Sequence, residues 1–212
     1  MSEATIELCS IDFAYSGAAP LFEQFDLSLM PGERIALAGD NGSGKSTLLH
    51  IITGLLRPQQ GVVRAFDKRR AREADFREVR RRAGYLLQDS DDQLFCPTVL
   101  DDVMFGPLNF GLSRAQAHER ALRILGELGL PDHGARVTYK LSGGEKRLVA
   151  LASVLAMEPD VLLLDEPTAG LDVRTEERLV EILQALRQDM ILVSHNQAFV
   201  DKIATRRVTL RG

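Results

Sequence analysis

The sequence predicts an α/β fold built on a parallel sheet, and two stretches carry this prediction. The apolar run 33–38 is followed by a glycine-rich turn and then by the apolar stretch 48–56, in the order strand, turn and helix. The run Val161–Leu164 is apolar at every position, which is typical of a strand buried on both faces in a parallel sheet. We therefore expect strands that alternate with helices along the chain.

Composition limits the possible functions of this chain of 212 residues. Its net charge of −4 gives no overall basic field for nucleic acid. Cys9 and Cys96 lie far apart in the chain, which argues against a disulfide framework or a zinc site. The first residues lack a signal-peptide pattern, and no apolar stretch approaches about 18 residues. Any role at a membrane is therefore expected to depend on a partner chain.

The N-terminal part predicts an antiparallel pair of strands. Apolar residues alternate over residues 4–14 and 21–30, on either side of a turn at 16–20. Tyr15 precedes that turn, where an aromatic ring is either half-buried packing or a flat face for a purine base. From the residue alone, packing is favoured.

Residues 61–66 and 83–87 predict two further strands, the second of which ends before Gln88. Between them, residues 67–82 carry seven arginines and a lysine and predict a helix. Acidic residues are interleaved with the basic ones and no aromatic ladder accompanies them, so a solvated helix is favoured over a surface for nucleic acid or phospholipid.

Residues 89–135 predict a helical insertion between strands of one sheet. Proline and glycine divide its first half into short helices. In the second half, Ser113 and Gln116 form a capping pattern ahead of an apolar stripe, which predicts a helix over 113–129. The chain is thus expected to be a single domain, in which 1–88 and 136–212 form the core and 89–135 forms the helical lobe.

The C-terminal part predicts helices that alternate with strands, and its last strand lies at a sheet edge. The predicted elements are a helix from Ser142 to about residue 157, strands at 161–165, 190–194 and 206–210, and helices at 173–186 and 197–204.

Residues 39–47 match the phosphate-binding loop pattern, with Gly39, Gly44, Lys45 and Ser46 at the required spacing. The glycines let backbone N–H groups turn toward an anion, and the following helix adds its positive N-terminal end. Lys45 would reach the β- and γ-phosphates, and the Ser46 hydroxyl would hold Mg²⁺. A glycine-rich turn without a ligand is the alternative, but a chance match in such a chain is roughly a 1-in-100 event. The predicted nucleotide contacts here are Gly39, Asp40, Asn41, Gly42, Ser43, Gly44, Lys45, Ser46 and Thr47.

Two adjacent carboxylates, Asp165 and Glu166, follow the buried strand 161–165 at its carboxyl end, where ligands bind in open α/β sheets. An aspartate there is often only a helix cap, but Pro167 follows instead of a helix. Asp165 is therefore suited to the Mg²⁺ shell, and Glu166 would polarise an attacking water molecule.

Further short motifs accompany these two: LSGGE at 141–145, Gln88 after a strand, residues 169–172, and His195 after another strand. With them the chain resembles the ATPases of ABC transporters. Residues 39–47 look like the Walker A motif and 161–166 like the Walker B motif. LSGGE resembles the signature motif that separates this family from other phosphate-loop proteins. Gln88, residues 169–172 and His195 resemble the Q-loop glutamine, the D-loop and the switch histidine.

The resemblance covers essentially the whole chain and implies a P-loop NTPase fold of the ABC cassette type. That fold has a RecA-like parallel-sheet core, an N-terminal antiparallel β subdomain and an inserted helical subdomain. The implied enzyme activity is ATP hydrolysis, and the implied cofactors are ATP and Mg²⁺.

The resemblance also assigns roles to single residues. Glu166 would act on the attacking water and His195 would bridge that water and the γ-phosphate, although a lone histidine after a strand more often makes a structural hydrogen bond. Lys45 and Gln88 would assist them. Tyr15 falls at the position of the adenine-stacking aromatic, which reverses the interpretation from the residue alone. The implied metal ligands are Ser46, Gln88 and Asp165.

The LSGGE motif opens a helix with two glycines and a hydroxyl, which makes it a second anion site. The helical insertion is expected to carry it away from the phosphate loop of its own chain. The resemblance therefore implies that two cassettes, identical or close paralogues, bind head to tail and close two ATP molecules between them. Ser142, Gly143 and Gly144 would contact the γ-phosphate held by the partner.

Residues 90–112 resemble the same segment in the ATPases of energy-coupling-factor importers, most closely the cobalt and nickel branch. In that family the region corresponding to 88–112 docks an integral membrane subunit, so the chain is expected at the cytoplasmic face of the cell membrane. The alternatives are a transporter for another cargo, such as the vitamin biotin, and a soluble ABC ATPase acting on nucleic acid, which the charge argues against. The implied groove residues, which otherwise form only the core of the lobe, are Leu94, Phe95, Val99, Phe105 and Leu108.

Three positions depart from the family pattern. Asp40 stands where proline is frequent, and its side chain is expected to point to solvent. Asn196 stands where aspartate is usual, so a charge beside His195 is missing. The chain ends at Gly212, whereas many relatives carry an extension that helps them dimerise, so weak dimerisation is expected without ATP or a membrane partner.

Overall fold

The strands lie in two sheets in this computed structural model, which describes residues 4–210. The strands are β1 (Ile6–Phe13), β2 (Phe22–Leu29), β3 (Arg34–Ala38), β4 (Gln60–Ala65), β5 (Lys68–Arg70), β6 (Ala83–Leu86), β7 (Val161–Asp165), β8 (Asp189–Val193) and β9 (Arg206–Thr209). The helices are α1 (Lys45–Thr53), α2 (Glu73–Arg82), α3 (Val99–Asn109), α4 (Arg114–Glu127), α5 (Gly143–Leu155), α6 (Val173–Ala185) and α7 (Gln197–Ile203), with a 3₁₀ turn at Thr138–Lys140.

The larger sheet has the order β6-β7-β8-β3-β9, and every pair in it is parallel. β7 is buried at all five positions, as the apolar run predicted, because both of its faces are covered. β9 forms one edge, as expected. Parallel strands place all their carboxyl ends on one side of the sheet, and this side carries the predicted motifs.

The smaller sheet is antiparallel, with the order β2-β1-β4-β5. The pairing of β1 with β2 confirms the predicted N-terminal pair. This sheet and α1 share one core with alternate residues of the parallel sheet. Val161 and Leu163 of β7 belong to that core, whereas Leu162 and Leu164 point to the opposite side and pack with the helices of the lobe.

The prediction of one helix over 67–82 is wrong for its first residues, since α2 begins at Glu73. Phe66 and Asp67 both have positive φ, at 53° and 63°, and turn β4 directly into β5. Arg70 then lies buried, where its guanidinium donates to the carbonyl oxygen of Ala65 and pairs with Glu78. The turn lacks the glycine that usually indicates such a hairpin in a sequence, so the charge pattern alone suggested a helix.

The inserted segment forms α3 and α4, and both pack against α5. Ser113 and Gln116 make the predicted capping box of α4, and the buried residues of α4 follow the predicted stripe. One continuous core joins these helices to the parallel sheet, so the division at 89–135 stays a prediction. Among residues 4–210, no helix is long and apolar enough to cross a membrane.

Candidate active site

Loops after four neighbouring strands meet at the carboxyl edge of the parallel sheet. The phosphate loop follows β3, Glu166 follows β7, His195 follows β8 and Gln88 follows β6. A cavity of about 710 Å³ opens among them. The predicted site residues that line it are Tyr15, Asn41, Gly42, Gly44, Lys45, Ser46, Thr47, Gln88, Asp165, Glu166 and His195.

The phosphate loop leads into α1 through Gly44, which has a φ of 93° and is the N-cap of the helix. A Cβ at this position would lie 2.6 Å from the ring of Phe22, so both the backbone angle and the space require glycine. No side chain of the described residues caps α1, which leaves its first N–H groups available to an anion. Asp40 is exposed, as expected.

The Lys45 ammonium lies inside the phosphate loop. Its Nζ is 2.8 Å from the carbonyl oxygens of both Gly39 and Asp40, and the residue is buried. These two acceptors hold the cation beside the helix N-terminus, so an anion entering the loop meets both positive groups at once.

Asp165 is buried and has one oxygen in use and one free. Its Oδ2 accepts a hydrogen bond from the Tyr85 hydroxyl at 3.2 Å, whereas its Oδ1 is buried without a partner among the described residues. Burial and the nearby Asp165 carboxylate raise the pKa of Tyr85, which therefore stays protonated and able to donate. An unpartnered buried carboxylate oxygen is a strong acceptor that calls for a cation or a donor.

This arrangement fits Mg²⁺. Among residues 4–210 there is no group of three or more His, Cys, Asp or Glu side chains placed to hold a metal ion. Mg²⁺ on a nucleotide needs less than that, because it takes one or two protein ligands and completes its shell with phosphate oxygens and water. Asp165 and Ser46 line the same cavity, and their carboxylate and hydroxyl oxygens are of the required type.

Glu166 has a positive φ of 47°, which a non-glycine residue rarely adopts. Its N–H donates to the carbonyl oxygen of Val193 at 2.9 Å. Its carboxylate Oε2 accepts from the backbone N–H of His195 at 3.2 Å, and the imidazole Nε2 of His195 lies 3.4 Å from Oε1. The structure thus places the carboxylate and the imidazole together in the lining of the cavity.

Tyr15 is packed against its neighbours and also exposes part of its ring, so packing and base stacking are compatible. Its hydroxyl is 2.9 Å from Oγ1 of Thr47, and its ring packs edge-on against Phe13 at 5.0 Å. The residue nevertheless remains 48% exposed and lines the cavity. An anchored ring with an open face is suited to stacking on a flat base.

The signature residues Ser142, Gly143 and Gly144 do not line this cavity. Ser142 is the N-cap of α5 and forms a capping box with Glu145. Gly143 lines a second cavity of about 630 Å³, which shares Ser46, Gln88 and Asp165 with the first cavity. Ser142 and Gly144 are not among the described residues that line these two cavities, and Ser142 is exposed. The structure does not bring them to the phosphate loop of their own chain.

Glu145 is held by groups that sequence reasoning missed. Arg136 pairs with its carboxylate, His133 Nε2 lies 3.1 Å from its Oε1, and the N–H of Ser142 donates to its Oε2 at 2.8 Å. The Arg136 guanidinium first, and then the Ser142 N–H, lower the pKa of Glu145 to about 2. These partners lie 9 and 12 residues upstream in a loop, so no local sequence signal indicates them.

Sequence reasoning also missed Tyr85 and Arg147. Tyr85 supports Asp165, and Arg147 is a buried arginine on α5. A tyrosine in a strand and an arginine in an apolar helix reveal such roles only when the fold is known.

The neighbours of Asn196 explain why an asparagine stands where aspartate is usual. Its Oδ1 accepts from the N–H of Phe199 and caps α7, and its Nδ2 donates to Oε1 of Glu176 at 2.8 Å. An aspartate would face the Glu176 carboxylate with a like charge. The amide therefore suits this neighbour.

Of the five residues predicted for the docking groove, three are exposed and two are buried. Val99 and Leu94 are buried in the core of the lobe. Phe95, Phe105 and Leu108 are 64%, 45% and 40% exposed, and the two phenylalanine rings pack edge to face at 4.7 Å. We call these three residues the aromatic patch. Solvent-exposed aromatic side chains in contact with one another are typical of interaction surfaces.

Several known proteins are similar to this chain in sequence and in fold. The family model described as ABC transporter matches residues 22–169. The cobalt import ATP-binding protein CbiO of Rhodobacter capsulatus is 43% identical over 214 residues, which cover 96% of this chain and 76% of that protein. The structure of CbiO1 from Clostridium perfringens, described as part of the ABC transporter complex CbiONQ, matches with a TM-score of 0.87 at 31% identity over 99% of this chain and 85% of that chain. A dimeric ATP-binding cassette in a post-hydrolysis state with ADP and Pi matches with a TM-score of 0.87 at 26% identity over 97% and 94%.

Proposed function

Because this chain belongs to the ATP-binding subunits of ABC transporters, we propose that its ATPase activity powers an energy-coupling-factor importer for cobalt or nickel ions. The observation that carries the proposal is the cavity into which Lys45, Asp165, Glu166 and His195 converge from the ends of three strands. The fold is that of the ABC cassette, and the activity is hydrolysis of ATP.

We propose that the phosphates bind at the loop 39–47, with Lys45 leaving its two carbonyl acceptors to meet them. Bound Mg²⁺, held by Asp165 and Ser46, would supply charge neutralisation for the phosphate oxygens. Glu166 takes the proton of the attacking water, and the imidazole of His195 orients that water against the γ-phosphate. General-base assistance of this kind contributes about 10²–10⁴ to the rate.

The second half of each site is proposed to come from another cassette. Ser142 is exposed and lies outside the cavity of its own chain, which makes it accessible to a phosphate held by a partner. The dimeric cassette with ADP and Pi shows that a chain of this fold associates in pairs. Head-to-tail pairing gives a closed two-fold assembly with two equivalent sites.

The membrane subunit is proposed to dock on the aromatic patch, at the cytoplasmic face of the membrane. Phe105 and Leu108 of the patch lie on α3, which packs against α5, and Gln88, which directly precedes the lobe in the chain, lines the cavity. The cobalt or nickel cargo is supported by the resemblance of residues 90–112 and by the name of the R. capsulatus relative. A transporter for another cargo is the second candidate, because no cargo contacts an ATPase subunit.

Substitution of Glu166 by glutamine tests the catalytic assignment. The variant is expected to bind ATP, to remain as an ATP-bound dimer in size-exclusion chromatography and to lose multiple turnover. Glu119→Gln, at an exposed position on α4, is the matched control and should hydrolyse ATP at the normal rate. Unimpaired multiple turnover by Glu166→Gln would overturn the assignment of the base.

Copurification tests the transport assignment. The chain is expressed in its native cells, extracted with detergent from membranes and isolated, and the bound integral protein is identified by mass spectrometry. Uptake of cobalt and nickel is then compared between cells with and without this chain. If nucleic acid copurifies and no membrane protein does, the transport proposal fails.

A further inference from the structure

Arg147 lies on α5 five residues after Ser142 and is only 2% exposed. Its guanidinium donates to carbonyl oxygens of the loop that follows β7. Nε donates to Pro167 at 3.0 Å, and Nη2 donates to Asp165 and Glu166, each at 2.7 Å. Three consecutive carbonyls of the loop that carries the proposed base are thus bound by one side chain.

The other end of the guanidinium reaches a second loop. Nη1 donates to the carbonyl oxygens of Leu87 and, at 3.2 Å, Gln88. Arginine carries five N–H donors in a rigid planar fork, and here they serve five acceptors on the loops after β6 and β7. Lysine has the charge but only one nitrogen, so it cannot reach both loops.

The cation remains charged in this position. Burial lowers the pKa of Arg147 to about 10, and the carboxylates of Asp165 and Glu166 oppose that shift. The guanidinium is therefore protonated at neutral pH, and its hydrogen bonds to the carbonyls are charge-assisted.

The turn at Glu166 needs this support. A φ of 47° is sparsely populated for glutamate and persists only where the surroundings hold it. Three backbone contacts do so: the N–H of Glu166 bonds to Val193, its carbonyl oxygen accepts from Arg147, and the same oxygen accepts from the N–H of Ala169 within the turn. The first contact belongs to the sheet, whereas the second belongs to the helix that begins with the signature motif.

We infer that Arg147 is a positioning residue for hydrolysis, which holds the Glu166 turn and makes it move together with α5. The inference rests on the proposed role of Glu166. In the proposed head-to-tail dimer, Ser142 at the start of α5 would contact the nucleotide of the partner, while Arg147 on the same helix supports the base that acts on the nucleotide of its own chain. Closure of one site thereby places the base of the other, so the two ATP sites are coupled through one helix.

The test compares Arg147→Lys and Arg147→Met with Arg120→Lys. Arg120 lies on α4 and also donates to a carbonyl oxygen, that of Ala156, but touches neither catalytic loop. We expect kcat to fall about 10²-fold in both Arg147 variants, as for loss of a positioned base. The Kd of a fluorescent ATP analogue should stay within about twofold, because Arg147 does not contact the phosphate loop. Arg120→Lys should change neither quantity.

A double-mutant cycle separates positioning from a merely structural role. In the Glu166→Gln background, Arg147→Lys should cause no further loss in single-turnover hydrolysis, because a base that is absent cannot be misplaced. Additive losses overturn the inference, and so does a fall in nucleotide affinity that parallels the fall in kcat. Should Arg147→Met fail to fold, Arg147→Lys, which keeps the charge, decides alone. Retained turnover in Glu166→Gln contradicts the proposed base, whereas an inactive Glu166→Gln beside a fully active Arg147→Lys contradicts only the inference.

Discussion

The hydroxyl of Tyr85 donates to Oδ2 of Asp165 across 3.2 Å and leaves Oδ1 as the buried oxygen that is free to bind a cation. The carboxylate is thus oriented before any ion arrives. Groups that support metal ligands in this way change metal affinity by about 10–100-fold when they are removed.

Tyr85→Phe should therefore weaken binding of the divalent ion to the nucleotide complex by about tenfold, because Asp165 loses the contact that orients it. Binding of Mn²⁺ to the ADP complex, followed by electron paramagnetic resonance, measures this directly. Affinity for ADP without any divalent ion is the control and should not change. Equal Mn²⁺ affinity in both proteins would show that the tyrosine does not orient Asp165.

Local pattern was sufficient to predict the main elements and to select most of the residues that line the cavity at the sheet edge. Strand, glycine-rich turn and helix are contiguous in the chain around Gly44, and the carboxylates directly follow a buried strand, so their chemistry can be inferred from neighbours. The prediction was wrong at 67–72, where residues with positive φ other than glycine turn the chain.

The supporting contacts could not be predicted in this way. Arg147 reaches acceptors up to 60 residues away in the chain, and Tyr85 lies 80 residues from Asp165. Hydrophobic periodicity indicates which face of an element is buried, but it does not indicate which side chain from another element contacts that face. Such contacts follow only from the order of strands in the sheet.

The ion pair of Glu145 with Arg136 predicts a dependence of stability on pH. The folded-state pKa of Glu145 is about 2, below its ordinary value of 4.5, so this group stabilises the fold above pH 4.5 and the contribution is lost as the pH falls from about 4.5 to about 2. Glu145→Gln should lower the free energy of unfolding at pH 7 by about 1 kcal/mol, a value reduced for the partial exposure of the pair.

Urea unfolding of both proteins at pH 7 and pH 3 measures this difference, which should be smaller at pH 3. Glu119→Gln serves again as the control, since Glu119 is exposed on α4. A difference between wild type and Glu145→Gln that is independent of pH would contradict the assignment of the low pKa.

Tyr15 offers a test of base stacking against simple packing. Tyr15→Ala removes the open ring face and should weaken ATP binding by about tenfold, because a stacked base contributes about 1–3 kcal/mol. Tyr15→Phe keeps the ring, loses only the contact with Thr47 and should stay within about threefold of wild type. A fluorescent ATP analogue measures both affinities. If Tyr15→Ala lowers the melting temperature but binds ATP normally, the ring serves packing only.

The aromatic patch predicts how the chain attaches to its membrane partner. Phe105 is 45% exposed and contacts Phe95, so Phe105→Asp places a charge in the proposed interface without opening the core of the lobe. Burying an unpaired carboxylate against an apolar partner is costly, and we expect at least a tenfold loss of copurified membrane subunit. ATP hydrolysis by the isolated chain should be unchanged, because the patch does not line the nucleotide cavity. Leu122→Asp is the matched control, since Leu122 is 43% exposed on α4 outside the patch. Equal recovery of the membrane subunit with Phe105→Asp would place the docking surface elsewhere.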